Sequence, residues 1–227
     1  EDGLNKYDGA KFSIYKSDKN DEHSLANNYV RCVFESSKKE CFVGTLSGLQ
    51  HYSADADRFT DIPLILQDGI IVEPNVAAIE ELSNGDLLVG TAGQGLFKIT
   101  NTHKGLVGIS MEKRIPIPIV NALHEDRNGN LWISAGENGI FRIDRNQQLH
   151  CYQKGANESE YTISSICETP DKQIYIGSLG KGLLKYNPTL DLFEPIIYAN
   201  HPELPVKSLL LATPDEIYIG TDGYGLK

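Results

Sequence analysis

The chain repeats itself. A stretch that begins VRCVFESSKKECFVGTLSGL at Val30 returns as VAAIEELSNGDLLVGTAGQGLFKIT at Val76 and VNALHEDRNGNLWISAGENGIFRID at Val120. It returns again as ISSICETPDKQIYIGSLGKGLLKYN at Ile163 and as VKSLLLATPDEIYIGTDGYGLK at Val206, so the spacings are 46, 44, 43 and 43 residues. Self-similarity at one period over a whole chain decides its architecture before any local pattern does, because each copy must be one structural unit packed on its neighbours.

Each copy reads as the same run of strands. The first is apolar with a small third residue: Cys32, Ala78, Ala122, Ser165, Ser208. A turn follows, with the hairpin signal Asn-Gly at Asn84-Gly85 and Asn128-Gly129. The second strand closes on a glycine slot held by Gly44, Gly90, Gly177 and Gly220, with Ser134 in the third copy. Gly48, Gly95, Gly139, Gly182 and Gly225 then open a third strand, and FSIYK, RFTDI, HCYQK and LFEPII supply candidates for a fourth. Four antiparallel strands every ~44 residues predict blades of a β-propeller, since one such sheet cannot bury both faces alone and radial stacking covers them. No sustained period of 3.6 residues is present, so helices should be scarce. The expected fold is therefore all-β: one propeller domain, or a fragment of one, over residues 1–227, with blades starting near 30, 76, 120, 163 and 206. Gly3–Tyr7 and Gly225–Lys227 both read as third strands, which predicts incomplete terminal blades on five full repeats. An open arc of a seven-bladed ring is expected, or a small ring closed by FSIYK on the last blade.

Trp132, the one tryptophan, falls in the slot of Phe42, Leu88, Tyr175 and Tyr218. It should pack between blades rather than mark a catalytic patch. The net charge of −10 and pI near 5.0 disfavour nucleic acid and anionic membrane surfaces. No apolar run approaches the ~18 residues of a membrane span, and the opening EDGLNKYDG is not a signal peptide, so the chain reads as a mature or excised segment. Cys32, Cys41, Cys151 and Cys167 form no CxxC and no zinc spacing. They are expected as thiols packed like small hydrophobes. In the aligned hairpin Cys32 faces Gly44 and Cys41 faces Glu35, out of reach of a mutual bridge.

The Asp/Asn-Gly turn followed by LWISAGENGI or IYIGTDGYGL resembles the two-component regulator propeller repeat, and GLNKYDGAKFSIYKSDKNDEHSLANNYV resembles the opening blades of that family. The likeness covers essentially the whole chain. Ser134 in the glycine slot, Cys41-Phe42 for the usual Leu-Trp and the short loop Leu46-Ser47-Gly48 depart from it. The resemblance implies a periplasmic sensor region of a bacterial hybrid two-component histidine kinase, detecting oligosaccharides released from glycans and working as a homodimer through rearrangement of whole propellers.

Catalytic readings fare poorly. His124-Glu125-Asp126 cannot converge on one ion, because successive strand residues face opposite ways. Glu35, Glu81, Glu125 and Glu168 share one register, which suits a structural or solvated role better than catalysis. Asp126-Arg127-Asn128-Gly129-Asn130 resembles a calcium loop without its spacing or bidentate glutamate, and resembles the turn box of sialidases, also a structural turn. TAGQG and SLGKG lack the strand–loop–helix setting of a phosphate cradle, and no GxSxG or HExxH occurs. Asn157-Glu158-Ser159 is a sequon without expected consequence. No metal and no cofactor is expected, nor an enzyme; a propeller lyase or glycosidase, or a protein-interaction scaffold, are the alternatives. A ligand would meet the residues that vary between copies at one end of the blades. In the loops between second and third strands these are Ser47, Gln94, Glu137, Asn138, Lys181, Asp222 and Tyr224. At the lead-ins to first strands they are Tyr29, Arg31, Asn121, Ser164 and Lys207. Amides, charges and aromatics of this kind suit a sugar.

Overall fold

The computed structural model describes residues 2–152, 162–197, 204–214 and 216–227, without the Glu137 side chain. The chain divides into two compact units, Glu1–Ile119 and Val120–Lys227. The first holds β1 (Leu4–Tyr7), β2 (Phe12–Tyr15), β3 (Val30–Glu35), β4 (Cys41–Thr45), β5 (Gly48–Ser53), β6 (Arg58–Ile62), β7 (Leu64–Ile65), β8 (Ile71–Val72), β9 (Val76–Glu81), β10 (Leu87–Thr91), β11 (Leu96–Thr102) and β12 (Gly105–Ser110). The second holds β13 (Ala122–Glu125), β14 (Leu131–Ser134), β15 (Ile140–Ile143), β16 (Leu149–Tyr152), β17 (Ile163–Glu168), β18 (Ile174–Ser178), β19 (Gly182–Asn187), β20 (Leu192–Ile196), β21 (Val206–Thr213) and β22 (Glu216–Thr221). Among the described residues the helical content is one 3-10 turn, Gly136–Asn138.

The strands form antiparallel meanders: β3-β4-β5-β6, β13-β14-β15-β16 and β17-β18-β19-β20 are four-stranded blades in chain order. The fold is that of a β-propeller, and the first strands of the copies begin at Val30, Val76, Ala122, Ile163 and Val206. The fourth strand of the second copy, β12, was not among the sequence candidates. Neither was the hairpin β7–β8, which adds two strands to that blade in the order β8-β7-β12-β11-β10-β9. β7 runs parallel to β12, with Leu64 opposite Gly108. A side chain at Gly108 would collide with Leu64, which is fully buried, so glycine here lets the hairpin close on the blade. The hairpin occupies the longest repeat interval. The last copy is the pair β21–β22; the third strand expected at Gly225–Lys227 is a single bridge, Leu226 to Gly220, with Ile219 and Lys227 exchanging backbone hydrogen bonds of 2.9 Å.

Cores lie between sheets. Phe42 joins Leu49, Ile62, Val76, Val89 and Phe97 between the first two full blades. Its neighbour Val43 packs the other way, with Leu25, Tyr52 and Phe59 against β1–β2. This is strand alternation applied to stacked sheets: adjacent residues feed different cores. In the second unit Trp132 packs with Ile140, Ile163, Ile176, Leu184 and Tyr186, between two blades as its slot predicts. The glycine slot has a direct cause. A Cβ at Gly44 would lie 2.6 Å from both Cys32 Sγ and Val76 Cγ1, and one at Gly177 would lie 2.5 Å from Val206 Cγ1. The first strand of the next blade presses on this spot. Ser134 fits because its hydroxyl donates to Ile163 O at 2.8 Å and its cross-strand partner is the small Ala122. Cys32 faces Gly44 and Cys41 faces Glu35, as the hairpin alignment requires; no disulfide joins the four cysteines, and while Cys167 is buried and Cys32 and Cys41 half-buried, Cys151 is exposed on its outer strand and does not pack as a small hydrophobe.

Two clusters staple blades at their third and fourth strands. Four, nine and eleven residues after Gly48 stand Tyr52, Asp57 and Phe59; the same offsets from Gly182 give Tyr186, Asp191 and Phe193. In the first cluster Tyr52 and Tyr15 of the preceding sheet both donate to Asp57 Oδ1 at 2.6 Å. In the second, Tyr186 and Tyr152 of the preceding blade both donate to Asp191 Oδ1, at 2.5 and 2.7 Å. Each Asp sits in a left-handed turn, at φ 49° and 52°. These hydrogen bonds, led by Tyr15 at Asp57 and by Tyr186 at Asp191, hold both carboxyls below the usual carboxylate range. Burial, then the partner aspartate, pushes the Tyr15 and Tyr152 phenols up.

Candidate functional site

Two of the carboxylates that recur once per blade, Glu81 and Glu168, close turns. Glu81 accepts from Ser37 N at 2.6 Å and Ser37 Oγ at 2.7 Å, closing the hairpin turn of the blade before it. Glu168 repeats this two periods on: both its oxygens accept from Arg127 N at 3.1 Å, with His124 Nε2 at 3.6 Å. Glu35 is paired with Lys39 on the surface. Asp126 has no oxygen to spare for a cation. It accepts from Asn128 N, Asn130 N, Asn130 Nδ2 and Trp132 Nε1, at 2.8 to 3.1 Å. The turn box therefore fastens its own hairpin to the tryptophan. Among the described residues no group of three His, Cys, Asp or Glu is placed to hold a metal ion.

The end of the blades singled out by sequence variation is a real structural locus. Four of the five loops between second and third strands are bonded to the lead-in of their own first strand: Leu46 N to Tyr29 O, Ala92 N to Asn75 O, Leu179 N to Thr162 O and Asp222 N to Pro205 O, at 2.9 to 3.1 Å. In the first unit the loops also grip the lead-in of the following blade, Gly48 N on Pro74 O and Gly95 N on Pro118 O. The first strands bulge at this end, skipping Arg31, Ala77, Ser164 and Lys207 in the register. A bulge re-aims the skipped side chain. Ser164 thus reaches Gly177 O at 3.0 Å and Val206 O at 2.6 Å. Three of the sequence's lead-in candidates are these skipped residues.

The individual candidates are placed as follows. Arg31, Gln94, Asn138, Lys207, Asp222 and Tyr224 are exposed, and Asn121 and Lys181 half-buried. Lys207 and Asp222 form an ion pair of 3.1 Å, more than half exposed on both sides, so solvent leaves it little energetic weight. Asn138 lies on the 3-10 turn, its N–H on Ala135 O at 3.1 Å. Asn121 N donates to Ser134 O at 3.0 Å. The Glu137 side chain and the sequon Asn157-Glu158-Ser159 lie outside the described residues.

Gln94 lines a cleft of about 380 Å³, with Leu66, Gly93, Gly95, Glu112, Pro116, Ile117 and Pro118. Ser47 lines a second, of about 370 Å³, whose walls include Leu49, Asp61, Ile62, Pro63 and Glu73. Both form where a loop meets the connector into the next blade. Glu112, Ile117, Asp61 and Glu73 went unmarked in the sequence because connectors differ in length from copy to copy and drop out of a repeat alignment. The Pro116-Ile117-Pro118 run was the available signal: proline on either side stiffens a segment that loop amides then grip.

Residues 115–137 match the two component regulator propeller family. No curated protein matches the sequence. Among solved structures, the extracellular domain assigned to a hybrid two component system of B. thetaiotaomicron superposes with TM-score 0.74 at 21% identity, over 99% of this chain and 30% of that one. A second extracellular domain from the same organism, assigned to a one component system, gives 0.78 at 18% identity over 96% and 31%. Virginiamycin B lyase of Staphylococcus aureus gives 0.60 at 14% identity, over 96% and 73%. The chain thus spans just under a third of the first two, and at these identities the likeness is one of fold. That fold is a β-propeller, and the two component regulator propeller match at residues 115–137 falls on the lead-in and first hairpin of the Trp132 blade.

Proposed function

We propose that this chain is a sensor module of a hybrid two-component regulator, placed outside the cytoplasm, in the periplasm, and responding to a glycan-derived oligosaccharide at the loop end of its blades. The observation that carries this reading is the regulator-propeller match at 115–137 inside a chain whose whole fold recurs in extracellular domains assigned to such systems. On this reading residues 1–227 are one propeller domain or part of one seven-bladed propeller, and the full-length protein is a histidine kinase. The segment itself is not an enzyme. Its recurrent carboxylates Glu81 and Glu168 are occupied by turn amides, and Asp126 by its own hairpin.

Tightly packed blades leave little room for internal motion, so the signal passes as a reorientation of whole propellers in a homodimer. Ligand must then prefer one of two arrangements. A screen of oligosaccharides against the chain and against the intact receptor ectodomain tests the reading, with scattering and inter-protomer crosslinking on the ectodomain. Ligand should change protomer geometry while amide exchange within the blades hardly moves. Glycan turnover abolished by one loop-end mutation would instead favour the lyase or glycosidase reading. Binding of a protein and no saccharide would favour a scaffold.

A further inference from the structure

We infer that the loop-end cleft around Gln94 and Glu112 is a saccharide subsite that takes a neutral or amino sugar and rejects uronate and sulfated sugars; this rests on the sensor reading above. The cleft is preorganised. Gly93 N and Gly95 N both donate to Pro118 O, at 3.0 and 2.7 Å, and Thr91 Oγ1 accepts from Gln94 N and donates to Gly95 O. Gly95 has φ 76°, and a Cβ there would stand 2.7 Å from Ile117 O. Loop and connector therefore touch backbone to backbone, and a left-handed glycine is what permits it. The connector has its own internal turn, Arg114 N and Ile115 N both donating to Met111 O at 2.8 Å. A site that is ordered before the ligand arrives loses less on binding.

The lining has the chemistry of a sugar site with a sign. Leu66, Pro116 and Ile117 offer an apolar wall for the C–H face of a pyranose ring. Gln94 supplies one donor group and one acceptor, which matches a hydroxyl in either role. Glu112 supplies acceptors only: it can hold two sugar hydroxyls or an ammonium, and it repels a carboxylate or sulfate. Among the described residues no Lys, Arg or His lines the cleft; Lys113 and Arg114, next in the chain, are exposed and not part of its lining. The second cleft independently repeats the recipe, with Ser47, Asp61 and Glu73 over Leu49, Ile62 and Pro63 and again no basic side chain. The chain's net charge of −10 acts in the same direction at longer range.

The test is an amide-resolved NMR titration of the 227-residue chain with three probes of equal length: a neutral gluco-oligosaccharide, a glucosamine oligosaccharide and a galacturonate oligosaccharide, each to millimolar concentration. The amides of Gln94, Gly95 and Ile117 should shift with the first two and not with the third. Glu112→Gln should weaken the glucosamine probe about tenfold, as loss of a charge-assisted contact does, and change the neutral probe by less than about twofold. Glu112→Lys should admit the galacturonate probe. Galacturonate shifting these three amides as strongly as the neutral probe overturns the charge assignment and leaves the sensor reading standing. Shifts confined to amides elsewhere overturn the subsite and likewise spare that reading. No shift anywhere with any probe overturns both.

Discussion

The two staples, one in each unit, share a plan and differ in how each holds its cation. Around Asp57 the cation is Lys6, exposed, its Nζ 2.9 Å from Tyr52 OH and 5.3 Å from the ring centre. Around Asp191 the cation is Arg142, only 15% exposed, its guanidinium 5.4 Å from Trp132 and 5.6 Å from both Tyr152 and Tyr186. Lys6 and Arg142 both stand three residues after the glycine that opens their strand. The added element is Trp132, which stacks on Tyr152 at 5.7 Å, meets Tyr186 and Phe193 edge-on, and ties the cluster to Asp126 through its indole N–H. The two-stranded sheet β1–β2 offers the first staple no such partner. Tyr52 and Tyr186 are equally buried, so one aromatic in a second-strand slot deepens the cation rather than the tyrosines, and a planar cation that stacks suits the interior better than an ammonium that prefers water.

The largest expected effect is on the tryptophan. Trp132→Ala should destabilise the second unit by about 3–5 kcal/mol in urea unfolding, the usual cost of emptying a large aromatic site. Tyr15→Ala, half-buried in the first staple, should cost about 1–2 kcal/mol; equal losses would break the distinction between the staples. Next come the phenols: Tyr186→Phe should cost about 1 kcal/mol through its lost hydrogen bond to Asp191, and Tyr52→Phe less, read from the same unfolding curves.

A smaller effect should appear in the pH profile. Both aspartates ionise more readily folded than unfolded, so their contribution is complete above the ordinary carboxyl range near pH 4 and disappears as pH falls through the lower folded value. Melting temperature should therefore drop more steeply below about pH 4 in the wild type than in Asp191→Asn. The phenols act at the other end. Tyr152 and Tyr15 lose protons less readily folded than unfolded, so stability is complete below the ordinary phenol value near pH 10 and declines above it. Phenolate absorbance should show these two ionising late, together with the loss of fold. The smallest change is the exchange of cations: Arg142→Lys should cost about 0.5–1 kcal/mol and Lys6→Arg change little.

Much of this was legible because repeats average out local ambiguity. One copy of a glycine slot means little; four with a small residue opposite each announce a close approach, and Gly44 and Gly177 show what approaches. Trp132 was placed by its alignment with Phe42, although nothing in a single copy said that Tyr186 and Phe193 would receive it. The hairpin β7–β8 was invisible because strands of two residues carry no period. The staples were missed for another reason: their parts sit in neighbouring copies, and only the offsets shared by Tyr52-Asp57 and Tyr186-Asp191, with Tyr15 and Tyr152 one strand earlier, link them. At the loop end the sequence named Gln94, which lines a cleft, and the lead-ins Arg31, Ser164 and Lys207, which the strand register skips. It missed the bulges that aim them and the connector that supplies Glu112 and Ile117, since pairing register and connector path are tertiary facts.

The carboxylates of Glu81 and Glu168 carry a consequence for how this protein comes apart. Each completes a turn that belongs to the previous repeat, so that turn cannot fray while its successor is folded, and it loses its closing partner once the successor melts. Opening therefore spreads between adjacent repeats like a zip, from a repeat to the one before it, and stability resides in the junctions as much as in the sheets. Amide exchange at Ser37 and Arg127 should accordingly report on the repeat that follows each of them, a neighbour-to-neighbour cooperativity carried by one side chain at each of these two junctions.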